Sequence, residues 1–297
     1  MNGLILTEGC ALTTAYYQGS ESGEGIIGVI RRAMPRDELF AGLYIVGCVN
    51  GIAGLIIQNV NNGNDWLSVT LNISAIVLFA CVSGIALVLS DKTDTIRTFD
   101  LVVAAVFLVV IVPSIGALNW MAVTGLSFYL LLFARGAPER TRGAITLLAV
   151  TVPMLWSRLL FAFFSKYFLD FDSALVAFTL NSQRDGNMVR FADGSGNLVI
   201  FPGCSSVANL SLAFLCWVTA TQITNHRRSA ADILWCSLTC ASVVVVNVIR
   251  MSLEGMSQSN FSALHNPRGD MIFNTATIIL MGFFTVMGVR RELFSRP

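Results

Sequence analysis

Apolar residues recur along this chain in blocks long enough for the roughly 20-residue span of a bilayer helix. Eight such blocks fall at about 39–60, 66–89, 99–115, 117–134, 143–164, 204–223, 231–250 and 271–289. Only Pro113, Ser114 and Gly116 separate the third from the fourth. Most connections are short, as a compact bundle requires, but two on the same face are long. Residues 165–203 include FDSALVAFTL, whose apolar spacing predicts a helix lying along the membrane surface. NMVRFADGSGNLVIF follows, two β-prone runs flanking Asp193, Gly194, Ser195 and Gly196, which predicts a hairpin. That hairpin leads through Pro202 and Gly203 into Cys204, while the second long connection, 251–270, carries His265. The predicted fold is an all-α polytopic membrane protein of about eight transmembrane helices, with an outer loop bearing a surface helix and a β-hairpin. Residues 1–38 read as a cytoplasmic tail, and 39–297 as a single transmembrane domain.

Composition agrees with this pattern. The 297 residues are 55% hydrophobic and 12% charged, with a mean hydropathy of +0.69; a soluble domain carries about twice that charged fraction. A net charge of +1 makes no case for nucleic-acid binding. Placing the N-terminus inside puts 13 of the 19 Lys and Arg residues on the cytoplasmic side: Arg31, Arg32, Arg36, Lys92, Arg97, Arg135, Arg140, Arg142, Arg227, Arg228, Arg290, Arg291 and Arg296. The rule that basic residues stay inside therefore puts both termini in the cytoplasm. Arginine outnumbers lysine 17 to 2, which hints at a GC-rich genome, and the expected location is the inner membrane of a Gram-negative bacterium.

Cysteine placement sharpens the picture. Cys48, Cys81, Cys216, Cys236 and Cys240 fall within spans, where a thiol acts as a small apolar filler, and Cys10 lies in the tail. Cys204 is left as a thiol on the outer face with no partner for a disulfide. The sixth span runs inward from Cys204 and the seventh returns outward to Arg250, so two antiparallel helices of similar length end at nearly the same depth. His265 enters at that level just before the eighth span. A thiol, a guanidinium and an imidazole at one interface are the parts of a cysteine-nucleophile site. A helix N-terminus and an adjacent cation would favour the thiolate, and His265 could carry the proton to a leaving amine. Singly, each residue has a plainer role: Arg250 as a partner for a helix C-terminus or a snorkelling side chain, His265 as a turn residue.

The segments CSS at 204–206, N-x-I-R at 247–250 and H-x3-G at 265–269, in that order, resemble the exosortase/archaeosortase family, polytopic membrane cysteine enzymes. The likeness covers roughly residues 150–290, which would be the catalytic half. It implies cleavage of C-terminal sorting signals of exported proteins (in bacteria, PEP-CTERM-like tails of a short motif, a transmembrane helix and an Arg cluster) on the periplasmic face. It also implies roles. Cys204 would be the nucleophile, Arg250 the stabilising cation and His265 the acid/base, with Asn247, Ser205 and Gly269 in support and no cofactor or metal. One departure is Ser206, where the family carries glycine.

A small-molecule transporter, or a membrane assembly factor without catalysis, is the competing reading. Transporters place ionisable groups along a mid-membrane path, whereas here Asp100 and Arg158 lie near span ends. The two histidines, His226 and His265, are expected on opposite faces, so no HExxH-type zinc site is available.

Overall fold

A computed structural model describes residues 35–62, 74–90, 95–133 and 136–294. Six helices among these residues are long and apolar enough to cross a membrane, and two more are apolar but shorter. With a small three-stranded sheet, the protein is a helical membrane protein. In chain order the helices are α1 (Arg36–Asn61), α2 (Ala75–Leu89), α3 (Thr98–Ile111), α4 (Gly116–Phe133) and α5 (Pro138–Thr151). Then come α6 (Ser157–Leu180), α7 (Ser206–Ile223), α8 (Ala231–Glu254), α9 (Gln258–Leu264) and α10 (Pro267–Phe294). Every apolar block of the sequence contains a helix. The departures from eight full spans are α2 and α3, of 15 and 14 residues; the block from 66 lies partly outside the described residues, as do most of the tail and Cys10.

The contacts divide the chain into two compact units. The first holds α1, α3 and α4 with the parts of α2 and α5 between Cys81 and Leu148. Glycines let its helices approach closely: a methyl group at Gly51 would strike the Trp120 ring, and one at Gly54 would strike the Gly116 backbone. Arg36 Nε and Nη2 hold the Asp100 carboxylate at 2.9 and 3.0 Å, with both side chains fully buried. Tyr129 donates to the same carboxylate at 2.6 Å, and Arg36 lies over the Phe40 ring.

The second unit, Ser74–Ala80 with Ala149–Pro297, carries the site. Its entry is irregular: Val152–Trp156, around Pro153, forms one π-helical turn, as expected where proline removes a backbone donor. The α6 helix leaves helical geometry at Phe164 (φ −121°, ψ 17°) and then continues to Leu180. FDSALVAFTL is helical and forms the second half of α6, beyond the kink at Phe164.

The hairpin forms as the sequence indicated. Strand β2 (Met188–Arg190) pairs antiparallel with β3 (Asn197–Val199), with Val189 opposite Leu198. Gly194, at φ +74°, supplies the left-handed turn residue. A third strand, β1 (Arg184–Asp185), joins β2 across Gly186 (φ +55°). One face of the sheet buries Val189, Phe191, Leu198 and Ile200 against Val176 and Ala177 of α6 and Met251 of α8. The sheet, whose last strand leads into Cys204, is therefore seated on α6 and α8. Elsewhere in the unit Ala213, Val243 and Met281 join α7, α8 and α10 in a second core.

Candidate functional site

Cys204 closes a 3-10 turn, Pro202–Cys204, and its amide donates to the Phe201 carbonyl at 2.9 Å. Its thiol is half-buried and unpaired with any other cysteine. The sequence placed Cys204 at the first turn of a helix, but α7 starts at Ser206, and Ser205 is its N-cap. The helix amides are consequently occupied by oxygens other than the thiol's neighbourhood would suggest: Val207 N–H meets Ser205 Oγ at 3.4 Å, and Ser206 N–H meets Asp172 Oδ2 at 3.0 Å.

Asp172, from the second half of α6, is 1% exposed. It accepts three hydrogen bonds from the CSS turn: Ser205 Oγ–H to Oδ2 at 2.8 Å, Ser206 Oγ–H to Oδ1 at 2.8 Å, and the Ser206 amide. Buried carboxylates persist only when bonded in this manner. From α8, Asn247 Nδ2 donates to the Cys204 carbonyl at 2.8 Å and lies 3.0 Å from Ser206 Oγ. Ser206 thus bonds to partners on two helices that a glycine could not reach with a side chain.

Arg250 lies near the C-terminal end of α8 and is held by two carboxylates. Its Nε meets Glu254 Oε1 at 3.0 Å, and its Nη2 meets Asp270 Oδ1 at 2.6 Å. Arg250, Glu254 and Asp270 all act electrostatically on the Cys204 thiol. The guanidinium is therefore not an isolated cation turned toward sulfur; the carboxylates oppose its field there. Glu254 is 2% exposed, and its Oε2 lies 3.7 Å from His265 Nδ1.

His265 follows α9 and is the C-cap of that helix. Its ring stacks on Phe261 with centroids 4.7 Å apart and planes 13° apart, so an aromatic neighbour sets the imidazole plane. Local chemistry explains the rest of the H-N-P-R-G segment. Asn266 Oδ1 accepts the amides of Arg268 and Gly269 at 3.0 and 3.1 Å, and Pro267 takes the first helical position of α10, where a missing N–H costs nothing. A methyl group at Gly269 would collide with the Leu264 carbonyl; glycine is needed there for close backbone approach.

One cavity of about 180 Å³ brings these elements together: Cys204, Met251, Glu254, Phe261 and His265 face it, along with the consecutive residues of β3. Strand side chains alternate between faces, so a wall built from consecutive strand residues presents the edge of the sheet. The hairpin turn is fastened to the same structure: Ala192 and Asp193 amides donate to the Gly255 and Met256 carbonyls at 3.0 and 3.2 Å, and the Gln258 amide meets Ser195 Oγ at 3.2 Å. Hydrogen bonds from Ser195 hold the exposed Asp193 carboxyl below the usual carboxylate range.

Of the sequence candidates, Cys204 and His265 line one cavity, Asn247 touches the Cys204 backbone, and Ser205 caps the helix that follows. Gly269 permits the approach of α10 to the end of α9. Arg250 reaches the cavity wall through Glu254. Three carboxylates were missed. Glu254 had a visible signal, its i, i+4 spacing from Arg250 on one helix face; Asp172, one of two acids with Asp170 in the apolar run of α6, had a weaker one, and Asp270 adjoins the glycine of the third motif. His226 lies at the other end of α7 and α8, where its Nε2 is 2.8 Å from Asp232 Oδ1. Among the described residues no three of His, Cys, Asp and Glu gather as a metal-binding set. Comparison with protein-family models, curated proteins and solved structures returns no match for this chain.

Proposed function

We propose that this protein is a membrane-embedded cysteine peptidase or transpeptidase that cleaves C-terminal sorting signals of exported proteins, each signal being a short motif, a transmembrane helix and an Arg cluster. The observation that carries the reading is Cys204 and His265 on the walls of one cavity, backed by a sheet edge. A cavity smaller than the roughly 300 Å³ of the smallest usual ligand sites suits a short stretch of peptide, and a substrate tethered in the bilayer needs little more. The excess of basic residues in alternate loops supports a bacterial inner-membrane location, with both termini cytoplasmic and the cavity periplasmic.

In this reading His265 takes the proton of the Cys204 thiol, and Sγ attacks the scissile carbonyl carbon. The C–N bond of the resulting tetrahedral species breaks as the imidazolium returns the proton to the leaving amine. The acyl group then sits on Sγ as a thioester. Water or an acceptor amine attacks it, the C–S bond breaks, and the thiol is restored. Asn247 and Asp172 hold the turn that bears the sulfur, so the nucleophile approaches from a fixed backbone.

The test uses an exported protein of the host that ends in a motif, an apolar helix and an Arg cluster. Cys204→Ala is expected to leave it uncleaved while the membrane protein itself accumulates normally, and Cys204→Ser is expected to be nearly as damaging because a hydroxyl has no accessible anion. Normal processing in the alanine variant would overturn the reading. A reporter fused after Gly194 is expected to report the periplasm.

A further inference from the structure

Glu254 is an unusual residue for its position. A carboxylate 2% exposed demands charge compensation, and the cation beside it is shared: Arg250 also pairs with Asp270, at the shorter distance of 2.6 Å. One guanidinium thus serves two carboxylates. The remaining oxygen of Glu254, Oε2, points to the one other group there able to become positive, His265 Nδ1 at 3.7 Å. Both residues face the cavity that Cys204 faces.

We propose that Glu254 is the positioning carboxylate for His265: it fixes the imidazole with Nδ1–H directed at Oε2, leaves Nε2 for the thiol, and compensates the positive charge when His265 takes the proton. This deepens, and rests on, the thiol–imidazole reading of the site given above. The charge count supports it. With Arg250 positive, Glu254 and Asp270 negative and the imidazole neutral, the cluster carries one net negative charge; transfer of the thiol proton to His265 cancels that charge beside Glu254. The negative charge moves to Sγ, and no proton or electron is left unassigned. Phe261 supplies the second restraint, stacking on the ring and limiting it to motion within its plane. In-plane motion is what the remaining gap needs, since 3.7 Å is about 0.8 Å longer than a charged N–H···O bond, and such contacts tighten when substrate binds.

The proposal gives Arg250 a defined duty as well. Its Nε bond to Oε1 orients the Glu254 carboxylate so that Oε2, not Oε1, is free for the imidazole. The charged and titratable groups around this cluster are Glu254 and Arg250 from α8, Asp270 from α10 and Cys204 from the 3-10 turn.

The experiment measures the rate at which iodoacetamide alkylates Cys204 at pH 7.5, followed by mass spectrometry of the Cys204 peptide, in the full-length protein in detergent. No sorting signal is required. Glu254→Gln, which keeps shape and loses charge, is expected to slow the reaction at least about tenfold, because losing the orientation of a proton carrier worth roughly 10²–10⁴-fold outweighs removing one carboxylate that opposes the Arg250 field at the sulfur. Glu254→Asp, which keeps charge and loses a methylene, is expected to recover most of the rate. Packing alone would give the opposite order. In a His265→Ala background the same Glu254→Gln change is expected to alter the rate by less than about twofold, because the two residues act as one unit. Equal slowing with and without His265, or a glutamine variant faster than the aspartate, would overturn the role of Glu254. If His265→Ala alone leaves the rate at the wild-type value, the thiol–imidazole reading itself fails, a distinct outcome. If the glutamine variant folds poorly, Glu254→Met, apolar and of similar length, takes its place: slowing that vanishes in the His265→Ala background supports the role, and equal slowing in both backgrounds overturns it.

Discussion

Asn247 Nδ2 donates a 2.8 Å hydrogen bond to the carbonyl oxygen of Cys204, joining α8 to the turn that carries the thiol across 43 residues of sequence. The same nitrogen lies 3.0 Å from Ser206 Oγ, which in turn donates to Asp172. Three elements, α6, α7 and α8, are thereby fastened at one point. Each bond uses a side chain buried to within a few per cent, so water cannot replace a lost partner and deletion carries the full desolvation penalty.

Removing the carboxylate at this junction is therefore expected to be costly. Asp172→Ala deletes the acceptor for three donors and leaves the Ser205 and Ser206 hydroxyls buried without it. The expected loss is on the order of 3 kcal/mol, from hydrogen bonds to a charged group worth about 1.5–3 kcal/mol each but not additive. It is read as a lowered unfolding midpoint in detergent together with faster, less selective alkylation of Cys204. Ser206→Gly removes one of the three donors and is expected to cost about 1 kcal/mol while leaving Cys204 reactive.

The first unit offers a test with no connection to the site. Arg36 and Asp100 are both fully buried and paired through two nitrogens, so Asp100→Ala removes the buried carboxylate that the guanidinium faces and is expected to cost about 3–5 kcal/mol. Replacing both with leucine is expected to restore most of that stability, because an apolar pair of similar volume needs no compensation. Denaturant titration of wild type and the two variants checks the order; a double variant as unstable as the single one would mean that Tyr129 and the Arg97 backbone, which also bond to Asp100, carry the cost.

What was legible in the sequence was whatever depends on local pattern. Apolar blocks identify helices because the bilayer imposes a length, and Gly194 between two β-prone runs identifies a hairpin because few residues accept its backbone angle. The return of α8 to the level of Cys204 followed from matching helix lengths. What stayed hidden depends on distant neighbours. Nothing in FDSALVAFTL says that its one aspartate, Asp172, bonds to a turn 33 residues on. Strand β1 is only two residues long, too short for any periodicity. The pairing of Arg250 with two carboxylates could be half read, since Glu254 is one turn away on the same helix, while Asp270 arrives from α10.

Arg250 separates geometry from charge. Its Nε bonds to Glu254 and its Nη2 to Asp270, two nitrogens of one rigid plane engaging acids on two helices. A lysine ammonium keeps the charge but concentrates it at one point on a flexible stem. Arg250→Lys is therefore expected to retain one of these contacts and lose the other, freeing either the Glu254 carboxylate to rotate or α10 to shift. On the proposed peptidase reading, processing of a sorting-signal protein is expected to fall by roughly 10–100-fold, as when groups that orient metal ligands are altered, while the uncleaved signal still crosslinks to the protein. A residue that only complements the end of α8 or reaches for lipid headgroups would be replaced by lysine with little change. Full processing in the lysine variant would thus reduce Arg250 to an interface residue and leave the orientation of Glu254 to the packing around Met251.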